Sequence, residues 1–365
     1  QQLSKAPTVG PRGTSTHAPA AAAAAAAAKV RTDSEPARPL SAESLYFKIP
    51  VVEIGRGKYG KVLLVTHPKV TYGCSAGTPM ALKVMPKAST KLQGFLREYC
   101  ISLHLSCHPC IVGLFGIAFQ SHEHYCFAQE LVIGKDLFAV IQPKVGIPES
   151  SVKRCVLQIA SALEFIHSHG LVHRDVKPEN ILLLDNHCCQ VKLADFGLAQ
   201  KRGTLIRFIT GTLPYMAPEL CTMALLDGQE EVTAPPLSVE PSLDTWAFGV
   251  VIFCILTGYF PWERCSESDD FYQEFDVPPL WRRFTPEAME MFAKLLAVDV
   301  EKRCTVGEVR AYVETDWLKK SEGQKPRPLI SLSSIGPISI ILTEAISHRA
   351  PGPSSSSGPV INTLI

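Results

Sequence analysis

The chain has almost no excess charge. Its 36 Lys and Arg stand against 35 Asp and Glu over 365 residues, a net charge of +1. That balance gives no electrostatic reason for a nucleic-acid or membrane-surface partner. Long apolar runs are missing too. The nearest to one, Leu329–Leu342, is broken by Gly336-Pro337 and by serines, and is too short to span a bilayer. Metal-ligand spacing is equally scarce. Cys107-His108-Pro109-Cys110 is a C-x-x-C without a second one, and His122, His124 and Cys126 lack a partner cluster, so no structural zinc site is expected. The cysteines number 12, but no secretory signal is recognisable ahead of them, and reduced thiols are the expectation. Docking motifs for proline-binding domains are rare as well: the tails hold one P-x-x-P, Pro36-Ala37-Arg38-Pro39.

What is present is a large potential core, with 46% hydrophobic residues. Residues 1–44 are rich in Ala and Pro, with unbroken alanine from Ala20 to Ala28, and residues 319–365 contain Ser and Pro. Both stretches read as disordered tails around a folded segment spanning 45–318.

Inside that segment the chemistry concentrates at His173-Arg174-Asp175-Val176-Lys177-Pro178-Glu179-Asn180, followed by Asp195-Phe196-Gly197. Two carboxylates, an amide and a lysine at this spacing can gather a nucleophilic hydroxyl, a metal and a phosphoryl group in one cleft. Apolar residues at Val152, Val156, Ile159, Leu163 and Ile166 predict an amphipathic helix over Pro148–His169, stopped by Gly170. Two short apolar runs, Ile181–Leu184 and Val191–Ala194, flank the turn signal Asp185-Asn186 and predict a hairpin between the two motifs.

Upstream, Ile54-Gly55-Arg56-Gly57-Lys58-Tyr59-Gly60-Lys61-Val62 fits G-x-G-x-x-G-x-V. By itself that pattern would suit a dinucleotide site equally. Apolar residues flank it on both sides and no helix pattern follows, which favours a β-hairpin over phosphates; Gly55, Gly57 and Gly60 would let the backbone approach them. Ala81-Leu82-Lys83 then matches a strand lysine reaching phosphate, with Glu98 as its candidate carboxylate partner. Downstream come Gly211-Thr212-Leu213-Pro214-Tyr215-Met216-Ala217-Pro218-Glu219, Asp244-Thr245-Trp246-Ala247-Phe248-Gly249 and Arg303.

In this order the motifs resemble those of eukaryotic protein kinases. Lys177 and Thr212 resemble the serine/threonine branch, and His108-Pro109 followed by Ile111-Val112 resembles the turn after the family's αC helix. Further stretches, Phe127–Glu130, Val152–Cys155, Leu256–Trp262 and Trp281–Thr285, are similar to the SH3-binding serine/threonine kinase family over roughly residues 45–318. The resemblance implies an α+β, bilobal kinase fold. A β-rich N-lobe with one helix would span about 45–130, and a mainly helical C-lobe about 131–318.

It also implies ATP and Mg²⁺ as cofactors, protein substrates, a cytoplasmic location and SH3-domain partners, the last resting here on one P-x-x-P. Asp175 would be the base, Lys177 the charge stabiliser, and Asn180 and Asp195 the metal ligands. Nucleotide contacts would come from Ile54, Gly55, Arg56, Gly57, Lys58, Tyr59, Gly60, Val62, Ala81, Lys83, Glu98, Glu130, Val132, Asp136 and Asp195, with Gln129 as gatekeeper. Glu219 would pair with Arg303, and Thr212 would contact Asp175. Arg174 has two readings: it awaits phosphate on Thr204 or Thr210, or it bonds to backbone in a segment already ordered. The irregular stretch Leu226–Ser242 reads as an inserted loop near the substrate face. The other readings are a pseudokinase scaffold or SH3 adaptor and a small-molecule phosphotransferase. Retention of Lys83, Asp175, Asn180 and Asp195 argues against the first, and the Ala217-Pro218-Glu219 segment against the second.

Overall fold

A computed structural model describes residues 52–57, 60–66, 77–185, 187–207, 210–226, 235–262, 281–319 and 362–363. Lys58, Tyr59, the P-x-x-P at Pro36–Pro39, the whole 1–44 stretch and most of 319–365 lie outside these residues.

Alternating apolar residues make the first half a sheet. Strands β1 (Val52–Gly57), β2 (Gly60–Thr66), β3 (Pro79–Pro86), β4 (Leu114–Gln120) and β5 (His124–Glu130) pair antiparallel in the order β1-β2-β3-β5-β4. A two-residue strand, β12 (Asn362–Thr363), joins the β4 edge. In β3 nearly every side chain is covered, because one face meets Val65, Phe119 and Ala128 and the other meets helix α1 (Leu92–Leu105). Phe95 and Tyr99 of α1 sit against Phe127 at centroid distances of 6.0 Å each, which presses the helix onto the sheet and sets where Glu98 points.

The second half is mainly helical, as its longer apolar periods predict. Helix α2 (Glu149–Ser168) buries Val152, Val156, Ile159, Leu163 and Ile166, the residues that marked it in the sequence. Its stop residue Gly170 is left-handed at φ 68°, as is Gly258 (φ 71°) after helix α4 (Ser242–Thr257). Helix α4 has no polar stripe and is buried along almost its whole length, so it forms the axis of the C-lobe core. Helices α3 (Pro218–Leu226) and α5 (Pro286–Leu295) belong to the same lobe. Thr285 caps α5 by accepting the Ala288 N–H at 3.2 Å.

Short strands carry the loops that matter: β6 (Leu171–Val172), the hairpin β7 (Ile181–Leu183) and β8 (Val191–Leu193), β9 (Gln200–Lys201), β10 (Leu205–Ile206) and β11 (Leu237–Ser238). β6 pairs with β9, and β10 with β11. The predicted inserted loop therefore contains a strand in its described part. Among the described residues no helix is long and apolar enough to cross a membrane.

Candidate active site

The catalytic-loop motif is held by a buried charge seventy residues further on. Asp244, fully buried in the first turn of α4, accepts the His173 N–H at Oδ2 and the Arg174 N–H at Oδ1, each at 2.8 Å, and His167 Nε2 also lies 2.8 Å from Oδ2. Burial alone would raise the Asp244 carboxyl, but these donors hold its pKa below the ordinary range. They also hold Arg174 at φ 68°, a left-handed backbone that costs a non-glycine residue on the order of 1–3 kcal/mol. His173 is equally constrained. The Asp175 N–H donates to its Nδ1 at 3.2 Å, so the ring hydrogen is on Nε2, which donates to Ala194 O at 3.1 Å. One imidazole thus joins the two motifs. Phe196 stacks edge-on against it at 5.0 Å.

Asp175, Lys177, Asn180 and Thr212 form a single hydrogen-bonded group. Lys177 Nζ donates to Asp175 Oδ2 at 2.7 Å and to Thr212 Oγ1 at 3.3 Å. Thr212 thus reaches Asp175 through Lys177 rather than by the direct contact expected from sequence. Asn180 Nδ2 donates to the Asp175 carbonyl at 2.8 Å and to its carboxylate at 2.9 Å. With its amide nitrogen so committed, the Asn180 carbonyl oxygen is left for another partner.

Across the cleft Lys83 Nζ lies 2.5 Å from Glu98 Oε1 and 2.8 Å from Asp195 Oδ1, bringing sheet, helix and the Asp195 loop to one ammonium. Burial works first against the Lys83 charge, yet the two carboxylates outweigh it and raise its pKa. Burial lifts the Glu98 carboxyl above its ordinary value, with Lys83 pulling the other way. Burial would lift Asp195 too, but the Lys83 ammonium brings it down to about 2. Asp195 is left-handed at φ 63°, and its Oδ1 also accepts the Gly197 N–H at 3.3 Å. Its other oxygen has no hydrogen bond among the described residues.

That oxygen and the free Asn180 carbonyl are hard donors, suited to a small divalent cation that completes its shell with phosphate and water. No group of three or more His, Cys, Asp or Glu converges anywhere among the described residues, so a fully protein-ligated metal site is not formed there.

The nucleotide face is built differently. Gly57 pairs with Gly60 across the β1–β2 hairpin, and Val62 faces Lys83 on β3. Ile54 is exposed, and Arg56 turns outward to pair with Glu53 at 2.7 Å. A Cβ on Gly55 would meet nothing nearer than 3.8 Å, whereas one on Gly60 would stand 2.3 Å from the Val84 carbonyl oxygen. Close approach to β3, besides any ligand, therefore demands glycine at 60. Ala81 is buried beside Lys83, and Gln129 lies opposite it on β5. The Glu130 side chain points away from the cleft: it accepts the Gly113 N–H at 2.9 Å and pairs with Lys192 at 2.9 Å. Its backbone N–H is likewise committed, donating to Gly113 O at 2.9 Å. Val132 follows it and is partly buried; Asp136 accepts the Ala139 N–H at 2.8 Å and begins a short 3₁₀ turn.

Farther out, Arg303 holds Glu219 with two bonds of 2.7 and 3.0 Å, donates to Ser242 O at 3.0 Å, and lies 5.0 Å over the Trp246 ring. Arg174 donates to Thr210 Oγ1 at 3.2 Å and to Leu198 O at 3.5 Å. Residues not singled out for the site by sequence reasoning are His167, Lys192, and Asp244 in its role as anchor. Asp244 had a signal: it is the single acid in an otherwise apolar sixteen-residue helix, and a buried charge implies donors gathered around it.

A glycine-rich hairpin, a lysine–glutamate pair linking sheet to helix, and the Asp175 and Asp195 loops set on a helical lobe define the protein kinase class. The protein kinase domain pattern matches residues 50–318, and the chain belongs to that family. Within it, the chain is 48% identical over 299 residues to the serine/threonine-protein kinase SBK1 of Danio rerio, covering 79% of this chain and 74% of that protein. It is 42% identical over 332 residues to SBK1 of Mus musculus, 85% and 76% of the two chains. Against SBK2 of Mus musculus the identity is 45% over 298 residues, 77% and 76% of the two chains.

Proposed function

We propose that this serine/threonine kinase transfers the terminal phosphoryl group of ATP to serine or threonine hydroxyls of protein substrates, with Asp175 as the base. The observation that carries the reading is the double network. Lys83 gathers Glu98 and Asp195 on one side of the cleft, while Lys177 and Asn180 orient Asp175 on the other.

Each residue then has a part that its surroundings support. Asp175, directed by two donors, accepts the substrate hydroxyl proton and aligns the oxygen for in-line attack. Lys177 offsets charge on the transferring group, and its bond to Thr212 ties that position to the peptide-binding segment. Lys83 leaves Asp195 for the nucleotide's phosphates, keeping Glu98 as its anchor. Asn180 and Asp195 hold Mg²⁺, which would neutralise phosphate charge when bound. Gly55, Gly57 and Gly60 cover the phosphates, and the backbone of Glu130 and Val132 receives the adenine. Such a loose transition state needs positioning and electrostatics more than covalent chemistry.

The test is a peptide-array phosphorylation assay of the full chain with Mg-ATP, run beside Asp175→Asn. Phosphate incorporation should fall by roughly 10²–10⁴-fold in the variant with its thermal melting little changed. Equal incorporation by both proteins would remove Asp175 from the role of base.

A further inference from the structure

The stretch between α3 and α4 takes no part in the chemistry above, yet its described end grips the segment that follows Asp195-Phe196-Gly197. Leu205 pairs antiparallel with Ser238, and Ile206 with Leu237. Beyond that pair the Val239 N–H donates to Thr204 O and the Gly203 N–H to Val239 O, both at 2.9 Å. Arg202 Nε meets Glu240 Oε2 at 2.7 Å, while Ser238 Oγ holds the other Glu240 oxygen at 2.9 Å. Val239 itself is fully buried in the C-lobe core. Four consecutive residues therefore clasp Arg202–Ile206 by backbone, ion pair and core anchor together. Gln200 and Lys201, just before, pair with β6.

This bears on the two readings of Arg174. Among the described residues its guanidinium donates to two neutral oxygens, Thr210 Oγ1 and Leu198 O, and feels the charges of Asp244 and, less strongly, Arg97. Such a setting would receive a phosphate. The segment nevertheless has ties of its own: backbone bonds hold Gly203–Ile206, and the Thr204 hydroxyl is committed to Lys201 O at 2.6 Å. Backbone pairing supplies the order that a phosphate would otherwise have to create.

We propose that Leu237–Glu240 is a positioning strap that holds the activation segment in its substrate-ready shape, so that activity does not require phosphate on Thr204 or Thr210. The role presumes the kinase reading above. It acts through the segment and touches no reacting atom.

The full chain is assayed after phosphatase treatment, together with Val239→Pro, which deletes the donor to Thr204, Glu240→Arg, and the charge swap Arg202→Glu/Glu240→Arg. Treated wild type should keep its activity within about twofold, because backbone pairing already supplies the order a phosphate would create. Val239→Pro should lose hydrogen-exchange protection at the Gly203 amide and roughly 10- to 100-fold in peptide kcat/KM, the scale of a misplaced substrate. Its KM for ATP should hold. Glu240→Arg should lose about two- to fivefold, as a largely exposed ion pair allows, and the swap should restore it.

Loss of activity on phosphatase treatment would overturn the strap, as would unchanged Gly203 exchange in Val239→Pro. If Val239→Pro fails to fold, exchange in Glu240→Arg and its rescue by the swap decide instead. A wild type inactive on every peptide would sink the kinase reading, with exchange still judging the strap.

Discussion

The two faces of the cleft are held by different physics. On the catalytic-loop side a fully buried carboxylate, Asp244, orients backbone N–H groups of His173 and Arg174, and Asp175 inherits its place from them. On the glycine-hairpin side, strand pairing and one exposed ion pair, Arg56 with Glu53, do the work, and Ile54 remains open to solvent. The difference matches what the proposed roles would ask of each face. A base must stand within hydrogen-bond reach of one oxygen, so its support is built before any substrate arrives. A phosphate cover has to admit and release a nucleotide, so its remaining contacts are left for the ligand to supply.

Breaking the catalytic-loop side should have the largest effect. Asp244→Ala strands two backbone donors and leaves Arg174 left-handed without support; unfolding free energy should drop by about 2–6 kcal/mol, at about 1–3 kcal/mol for each donor left unsatisfied. Denaturant melts would read this, and peptide phosphorylation should vanish with it. A loss under about 1 kcal/mol would show that the two faces are not held so differently.

On the hairpin side the prediction separates two glycines of one motif. Gly60→Ala puts a methyl against the Val84 carbonyl oxygen and should cost about 1–3 kcal/mol, with weaker ATP binding, as overpacking does. Gly55→Ala has open space and should leave the thermal melt nearly unmoved. Equal melts for the two variants would contradict the assigned role of β3 in fixing the hairpin.

The smallest effect concerns acid. The Asp195 carboxyl is depressed from an ordinary 3.8 to about 2 in the folded chain, so its ionised form stabilises folding above about pH 3.8. That contribution drains away as pH falls to about 2. The side chain is 38% exposed, so solvent screens the interaction and keeps the contribution modest. Asp195→Asn should therefore flatten the stability-against-pH curve in that window alone. A wild type and variant with parallel acid curves would show that Lys83 does not hold Asp195 in the folded chain.

How much of this could be read in the sequence depended on distance along the chain. The hairpin, the helix over Glu149–Ser168 and the loop from His173 to Asn180 follow from periods and spacings of a few residues, and they form where expected. Lys83 with Glu98, and Glu219 with Arg303, were legible through family resemblance, since no local rule joins residues fifteen or eighty-four apart. Other features were hidden. Leu237 and Ser238 lie in a proline-punctuated stretch with no alternating pattern, and two residues pair there because a partner strand is presented to them. The Glu130 carboxylate was equally hidden, because its partners Lys192 and the Gly113 amide are joined to it only by the fold.

The sequence by itself determined which reactive groups the chain carries: two carboxylates, an amide and two lysines, whose donors and acceptors belong to the side chains themselves. It determined the fold class as well, because periods of two and of 3.6 bury different faces. Only the tertiary structure decided how those groups are aimed. Asp244 grips a loop seventy residues away, a β3 carbonyl dictates Gly60, and Leu237–Glu240 from beyond α3 bonds to Arg202–Ile206. Aim comes from contacts between distant residues, whose free energy appears only once the chain has closed on itself.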